Sequence, residues 1–300
     1  MAGGWSGERE ISIKSGETVF GALDKGKYNI SRFDLPNDLE SLIKVKAKID
    51  LAFVLLHGKL GEDGGIQGFL DLLSIPFVGS GVLASAIAFN KKVAKGIYKG
   101  AGMEIVKDII LNRSNNISPD RIYDEIGPST VVKPVSEGSS LGISVCHNKD
   151  ELMEGIEIAF QYDNEVMVEQ YINGREVTCC VIGVNELETL PIVEIIPDQS
   201  HDFFDFEAKY IPGITNEICP ADLEDDLRER IENCAKVAHR SLNCRVWSRT
   251  DMIIEKNNIF LLETNTIPGM TENSLVPLSA RAAGISLANL LDRIIELSLE

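Results

Sequence analysis

Three hundred residues exceed what one hydrophobic core usually serves, because single cores stop growing near roughly 250 to 300 residues, so two or three lobes are expected. A hydrophobic fraction of 44%, a charged fraction of 25% and only 11 prolines exclude a disordered or fibrous chain. The 29 Lys and Arg against 46 Asp and Glu leave a charge of −17, which repels phosphodiester backbones and argues against a nucleic-acid partner.

No stretch has the apolar length of a membrane span, and Met1 leads into polar residues rather than an apolar secretory segment. A cytoplasmic protein without a membrane partner is expected. Six cysteines (Cys146, Cys179, Cys180, Cys219, Cys234, Cys244) form no C-x-x-C pair, and Cys179 and Cys180 would point to opposite faces of a strand. They read as reduced, buried thiols.

In chain order, EREISIKSGETVFGALDK is helix-like, and LAFVLLHG (51–58) is the continuous apolar run of a buried parallel strand. GIQGFLDLLS is helical again, IPFVGSG a short strand, and one helix is expected from Val82 to about Lys99, carrying Lys91, Lys92 and Lys95. This alternation is an α/β pattern. TVVKPV (130–135) reads as a strand, EGSSLGI as a loop, ISVC as a returning strand, DELMEGIEIAFQY as a helix and EVMVEQYI as a strand. EVTCCVIGV and LPIVEIIP read as sheet. The stretch SHDFFDFEAKYIPGITNEICPAD is too long and irregular for one element and suggests a lid or binding segment. A helix from Leu223 to about Leu242, a hairpin from Arg245 to Thr264 and helices from Leu278 onward complete the chain.

Four stretches carry candidate chemistry. In SRTDMIIEKNNIFLLETN (248–265), a turn at Lys256, Asn257 and Asn258 sets Asp251 opposite Glu263 and Arg249 opposite Asn265. Such a set of hard oxygen donors suits Mg²⁺ that also holds phosphates, or it is a solvent-facing polar stripe in which Arg249 pairs with one carboxylate. In VVKPVSEGSSLGIS, Lys133 closes a strand ahead of a Gly/Ser loop, which is either an anion nest or a plain hairpin turn. VEQYINGREVT offers Glu169, the backbone around Tyr171 and Ile172, and Glu176 to a flat base and its ribose, or is an ordinary sheet edge. His57, in LLHGKLGEDGGIQG, follows a strand at its carboxyl end, where open α/β sheets bind ligands, although a lone histidine is also a common structural residue.

The order and spacing of GGWSGEREIS, LHGKLGEDGGIQG, VVKPVSEGSSLGIS, FEAKY, SRTD and LLETNTIPGMTENSLVP resemble the D-alanine–D-alanine ligases of the ATP-grasp superfamily over almost the whole chain. The resemblance implies an α/β ATP-grasp fold with an N-terminal open α/β lobe (1–80), a central lobe (81–175) and a C-terminal lobe (176–300). It implies ligation of two D-alanines through an acyl phosphate for peptidoglycan precursors, with ATP and two Mg²⁺ (Mn²⁺ in their place is allowed), in a homodimer. A nucleotide-binding but impaired relative, or a ligase taking D-serine or D-lactate second, is the alternative.

By motif position the resemblance implies that Lys91 and Lys133 contact the ATP phosphates, Glu169 and Ile172 the adenine, and Glu176 the ribose. Asp251, Glu263 and Asn265 would hold the metals, and Lys209 would reach the γ-phosphate. Arg249 and the Gly269 N–H would form the oxyanion hole. Glu8 and His57 would receive the first D-alanine, and Ser274 and Leu275 the second carboxylate. Glu8, Ser139 and Tyr210 would latch the lid, and Tyr210 favours D-alanine as second substrate.

Three residues depart from the family pattern: Asn90 in place of Asp, Gln170 in place of Lys, and Ser248 in place of Gly. The larger departure is at MAGGWSGEREIS, where the glycine loop follows Met1 and Ala2 with no room for the family's interior strand. The expectation is a recorded start inside a longer chain. A chain truly starting at Met1 is expected to have a loosened first lobe, with unpaired backbone and lost apolar cover.

Overall fold

The structure is a computed structural model that describes residues 1–114, 118–197 and 215–300. Lys209 and Tyr210 lie outside the described residues.

The chain starts within a sheet. Ala2 and Gly3 form β1, paired in parallel with β2 (Asp34–Leu35). On the other side the Met1 amine donates to the Phe53 carbonyl at 2.7 Å, and the Leu55 N–H donates to the Met1 carbonyl at 2.9 Å. The interior strand expected to be missing is thus represented by two residues, and the first glycine loop leaves from it. Helix α1 (Arg9–Ala22) packs on β1, and its buried Ser12 hydroxyl accepts from the Gly3 N–H at 2.8 Å and donates to the Leu55 carbonyl at 2.6 Å. A cavity of about 560 Å³ lies beside Met1, between α1 and residues 27–34.

Residues 51–58, expected as a strand, make only one ladder contact, a parallel bridge from Ala52 to Phe77. Their apolar run is still buried, with Val54, Leu55 and Leu56 at most 2% exposed. Helices α2 (Leu39–Val45) and α3 (Gly65–Leu72) close this core.

The single helix expected over 82–99 is two, α4 (Val82–Phe89) and α5 (Lys91–Gly100). Asn90 between them is extended, and its side chain accepts from the Val93 N–H at 3.0 Å, which caps α5.

A four-stranded antiparallel sheet follows, ordered β3 (Asp108–Asn112), β6 (Glu165–Gln170), β4 (Thr130–Pro134), β5 (Ser144–Cys146). Helices α6 (Pro119–Ile126) and α7 (Lys149–Ala159) cover it around Leu111, Ile122, Val132 and Val168. A second sheet runs β10 (Thr215–Ile218), β9 (Val193–Pro197), β7 (Arg175–Gly183), β11 (Val246–Glu255), β12 (Asn258–Asn265), with β8 (Leu187–Thr189) on β7.

This second sheet is buried on both faces. Cys179 packs with α5 and α8 (Asp225–Ser241) on one side, while Cys180 packs with Trp247 and with α9 (Leu275–Ala282) and α10 (Leu287–Ser298) on the other. The adjacent cysteines face opposite ways, as strand alternation requires. Ala88, Ala94 and Tyr98 of α4 and α5 also join the core of this sheet, so both helices lie on the second sheet rather than the first. Among the described residues no helix is long and apolar enough to cross a membrane.

Candidate active site

The β11–β12 hairpin sets the floor of the site. Its turn is shorter than expected: Glu255 pairs with Asn258, leaving only Lys256 and Asn257, and Lys256 takes a positive φ of 57°. From that tip an unbroken ladder would oppose Asp251 to Leu262. A bulge between Met252 and Asp251 leaves Leu262 unpaired and restores the expected pairs, Asp251 with Glu263 and Arg249 with Asn265.

Both carboxylates are answered by side-chain cations. Arg249 grips Asp251 through two bonds, Nε to Oδ1 at 2.9 Å and an Nη to Oδ2 at 2.6 Å, and Lys91 Nζ lies 3.2 Å from Glu263. Thr178 of β7 donates to Asp251 at 2.6 Å, and Asn265 Oδ1 accepts from the Ile267 N–H at 2.8 Å. Burial opposes the charge on Arg249, yet Asp251 and Glu263 outweigh it and raise its pKa. Among the described residues no three His, Cys, Asp or Glu side chains converge as a metal cluster. The donors here are two carboxylates and an amide.

Glu8, 4% exposed, stands just before α1 and accepts from the Ser139 hydroxyl, so two of the three expected latch residues meet. Ser139 and Ser140 both take positive φ, 49° and 59°, as the tight loop after β4 demands. Gly138 in that loop has no side chain for a reason: a Cβ there would lie 2.8 Å from Glu8 Oε2.

His57 is buried behind Glu8. Its Nδ1 lies 3.8 Å from Glu62, and its Nε2 lies 3.5 Å from the Ser15 hydroxyl, which in turn accepts from the Met270 N–H at 3.3 Å. Burial disfavours the charged ring, but Glu62, Glu8 and the Ile267 backbone outweigh it and raise its pKa. Across the cleft, Ser274 and Leu275 open α9, and the Ser274 hydroxyl accepts from the Thr271 N–H at 3.0 Å. A Cβ on Gly269 would stand 2.9 Å from that hydroxyl.

One cleft of about 150 Å³ is lined by Glu8, His57, Lys91, Ser139, Arg249, Glu263, Asn265, Gly269, Ser274 and Leu275. Lys133, Glu169, Ile172, Glu176 and Asp251 are not on its wall. Lys133 of β4 instead contacts Glu169 of β6 at 2.6 Å. Ile172 is buried just beyond β6, and Glu176 lies in β7 opposite Ile195 and Ile253. Lys91 Nζ donates to the Glu137 carbonyl at 2.6 Å, and Glu137 belongs to the loop that follows β4.

Sequence reasoning assigned no role to Lys95, Asp108, Thr178 or Glu217. Lys95 is buried one helical turn after Lys91, a spacing visible in the sequence. Glu217 lines the cleft beside Arg249. Burial pushes its carboxyl up, and Arg249 works against that. Its place depends on β10 pairing with β9, which no local pattern announces.

This arrangement has relatives. The family "D-ala D-ala ligase C-terminus" matches residues 97–296, and "D-ala D-ala ligase N-terminus" matches residues 32–80. The D-alanine–D-alanine ligase of Syntrophobacter fumaroxidans is 49% identical over 300 residues, covering 100% of this chain and 96% of its own length. The D-alanine–D-alanine ligase of Bacillus anthracis complexed with ATP superposes with a TM-score of 0.84 at 36% identity, over 99% of this chain and 95% of that one. The VanG D-Ala:D-Ser ligase of Enterococcus faecalis does so with a TM-score of 0.85 at 32% identity, over 99% and 97%. With both halves matched and a full-length ligase identical at nearly every second residue, the chain belongs to the D-alanine–D-alanine ligase family and has its ATP-grasp fold.

Proposed function

We propose that this protein joins two D-alanines into D-alanyl-D-alanine for peptidoglycan precursors, converting ATP to ADP and phosphate. The observation that carries this reading is the one cleft in which an acid (Glu8), a histidine held toward its charged form (His57), a half-buried guanidinium (Arg249) and the start of α9 face one another.

Each group has a role that its chemistry suits. Glu8 takes the ammonium of the first D-alanine, and His57, whose charged form Glu62 and Glu8 favour against burial, faces its carboxylate. That carboxylate attacks the γ-phosphorus, ADP leaves, and an acyl phosphate forms. The amine of the second D-alanine then attacks the acyl carbon, the amine gives up a proton, and phosphate departs. Arg249 and the Gly269 N–H stabilise the oxyanion of the tetrahedral intermediate. The Ser274 hydroxyl and the Leu275 N–H, at a helix N-terminus, suit the second carboxylate.

ATP is assigned to Lys91 and Lys133 at the phosphates, Glu169 and Ile172 at the base and Glu176 at the ribose, and the ATP complex of the Bacillus anthracis relative supports a nucleotide here. The hairpin fits magnesium, because hard oxygen donors on paired strands carry negative charge that Arg249 and Lys91 answer in this structure. Asp251, Glu263 and Asn265 would hold two such ions, which when bound offset charge on the transferring phosphoryl group. Lys209 at the γ-phosphate and Tyr210 in the latch lie outside the described residues and complete the proposed set.

We divide the chain into lobes at 1–80, 81–175 and 176–300, with ATP between the last two. A homodimer is supported by exposed apolar side chains on adjoining helices, Leu72 of α3 with Val82 and Leu83 of α4. Six free cysteines suit a reducing cytoplasm.

Phosphate release from ATP in the presence of Mg²⁺ and D-alanine, with the dipeptide identified by mass, tests the reading. No D-alanine-dependent release overturns it. Likeness to a D-Ala:D-Ser ligase favours one second reading, D-serine as the attacking substrate. Competition among D-alanine, D-serine and D-lactate decides between them.

A further inference from the structure

Register puts two carboxylates side by side in the first sheet. Asp108 of β3 is the direct partner of Glu169 of β6, which sets their Cβ atoms about 4.5 to 5.5 Å apart. Like charges directly opposed destabilise a sheet, and Glu169 is only 3% exposed, so water does little to separate them. The groups facing Glu169 are Asp108, Lys133 of β4 and Lys95 of α5.

Lys95 is the cation that the pair shares. Its Nζ is 2.6 Å from Glu169 Oε1 and 2.8 Å from Asp108 Oδ1, and it donates to the Val106 carbonyl at 2.7 Å. With its three donors used, the ammonium is fixed, and it holds Glu169 by one oxygen. The other oxygen, Oε2, is left to Lys133 at 2.6 Å. The four groups form a neutral set of two cations and two anions. Removing Lys95 would leave two carboxylates to compete for Lys133, which would turn back into the sheet.

We propose that Lys95 is a positioning residue for nucleotide: shared between Asp108 and Glu169, it aims Glu169 and, through it, sets where Lys133 points and how much of its charge faces a phosphate or base. This rests on the nucleotide reading of Lys133 and Glu169 given above. Lys95 itself touches no substrate. It lies on the same face of α5 as Lys91, so one helix serves both lysines, Lys91 directly and Lys133 at one remove.

The test compares Lys95→Met with Lys95→Met/Asp108→Asn. Calorimetry reads ADP affinity, steady-state kinetics read KM for ATP and for D-alanine, and circular dichroism reads folding. Loss of one partner in a buried, hydrogen-bonded charge pair is expected to weaken ADP binding and raise KM for ATP by about tenfold or more, with KM for D-alanine within about twofold. Removing Asp108 as well rebalances the charge and is expected to restore most of the loss. Wild-type ADP affinity in Lys95→Met overturns the proposal, as does an equal loss for both substrates or a failure of Asp108→Asn to rescue. Should Lys95→Met not fold, the double variant decides alone: near-wild-type ADP affinity supports the proposal and lost affinity overturns it. Absence of ADP binding in the wild-type protein would instead strike at the nucleotide reading.

Discussion

His57 is where burial and charge contend most directly. A buried imidazole loses hydration that its charged form needs, and the ordinary result is a lowered pKa. Here Glu62, 3.8 Å from Nδ1, and Glu8 reverse the sign. A raised pKa contributes stability that is fully present below the unfolded value of 6.5 and fades as pH rises through the folded value. Glu62→Gln leaves burial unopposed on that side, so the ring is expected to titrate at lower pH than in the wild type, followed by NMR of its ring protons. KM for D-alanine is expected to rise above pH 7 in the same variant. An unchanged titration would remove Glu62 from this role.

The residues around His57 were legible because they cluster in continuous motifs, GGWSGEREIS and LHGKLGEDGGIQG. Lys95 and Asp108 were not, although each is plain in the sequence. Their partnership with Glu169 exists only once β3 pairs with β6 and the Lys95 side chain reaches across to them from α5, and residues 61 to 74 apart carry no local sign of that.

At the level of elements, the hairpin shows how the expected pairing can follow from a wrong turn. The three-residue turn predicted from Lys256 to Asn258 gives the pairs Asp251–Glu263 and Arg249–Asn265. The observed turn has two residues, and the same pairs form because the bulge at Leu262 supplies the missing offset. A slip of one residue flips side chains to the other face, so the bulge decides whether Glu263 reaches the site. Deletion of Leu262 is expected to make the ladder regular and to keep Glu263 opposite Asp251 and Asn265 opposite Arg249, because Glu263 then follows Leu261 directly. Ligase activity is then expected to stay within about tenfold of wild type with the far-ultraviolet circular dichroism retained, because the opposed pairs of the hairpin are unchanged. A loss of about a hundredfold or more would mean that the bulge serves the site by more than its register offset. The break at Asn90 was hidden for a related reason: the run from Val82 to Lys99 has helical composition throughout, and only the cap bond to Val93 marks the end of one helix and the start of the next.

Across the whole molecule, α5 ties the second sheet to the first. Lys91 reaches Glu263, Lys95 reaches the first sheet, and the Tyr98 hydroxyl donates to Thr264 at 2.7 Å beside the hairpin carboxylate. The same face of that sheet is also fastened by His239 of α8, whose Nδ1 lies 2.8 Å from the Ser248 hydroxyl, next to Arg249 in β11. His239 is 1% exposed, and among the described residues its Nε2 has no partner. Burial, with Arg240 adding to it, lowers its pKa from 6.5 to about 4. A lowered histidine pKa means that the unfolded chain binds the proton first, so stability is full above 6.5 and is lost as pH falls toward 4. The loss between pH 7 and pH 5 is roughly 2 kcal/mol from this one ring. His239→Asn keeps a polar atom near Ser248 and removes the titration. Thermal midpoints taken at pH 7 and pH 5 are expected to fall by a few degrees more in the wild type than in the variant. Equal falls would show that α8 comes off the sheet in acid through other groups, the ion pairs of α5 first among them.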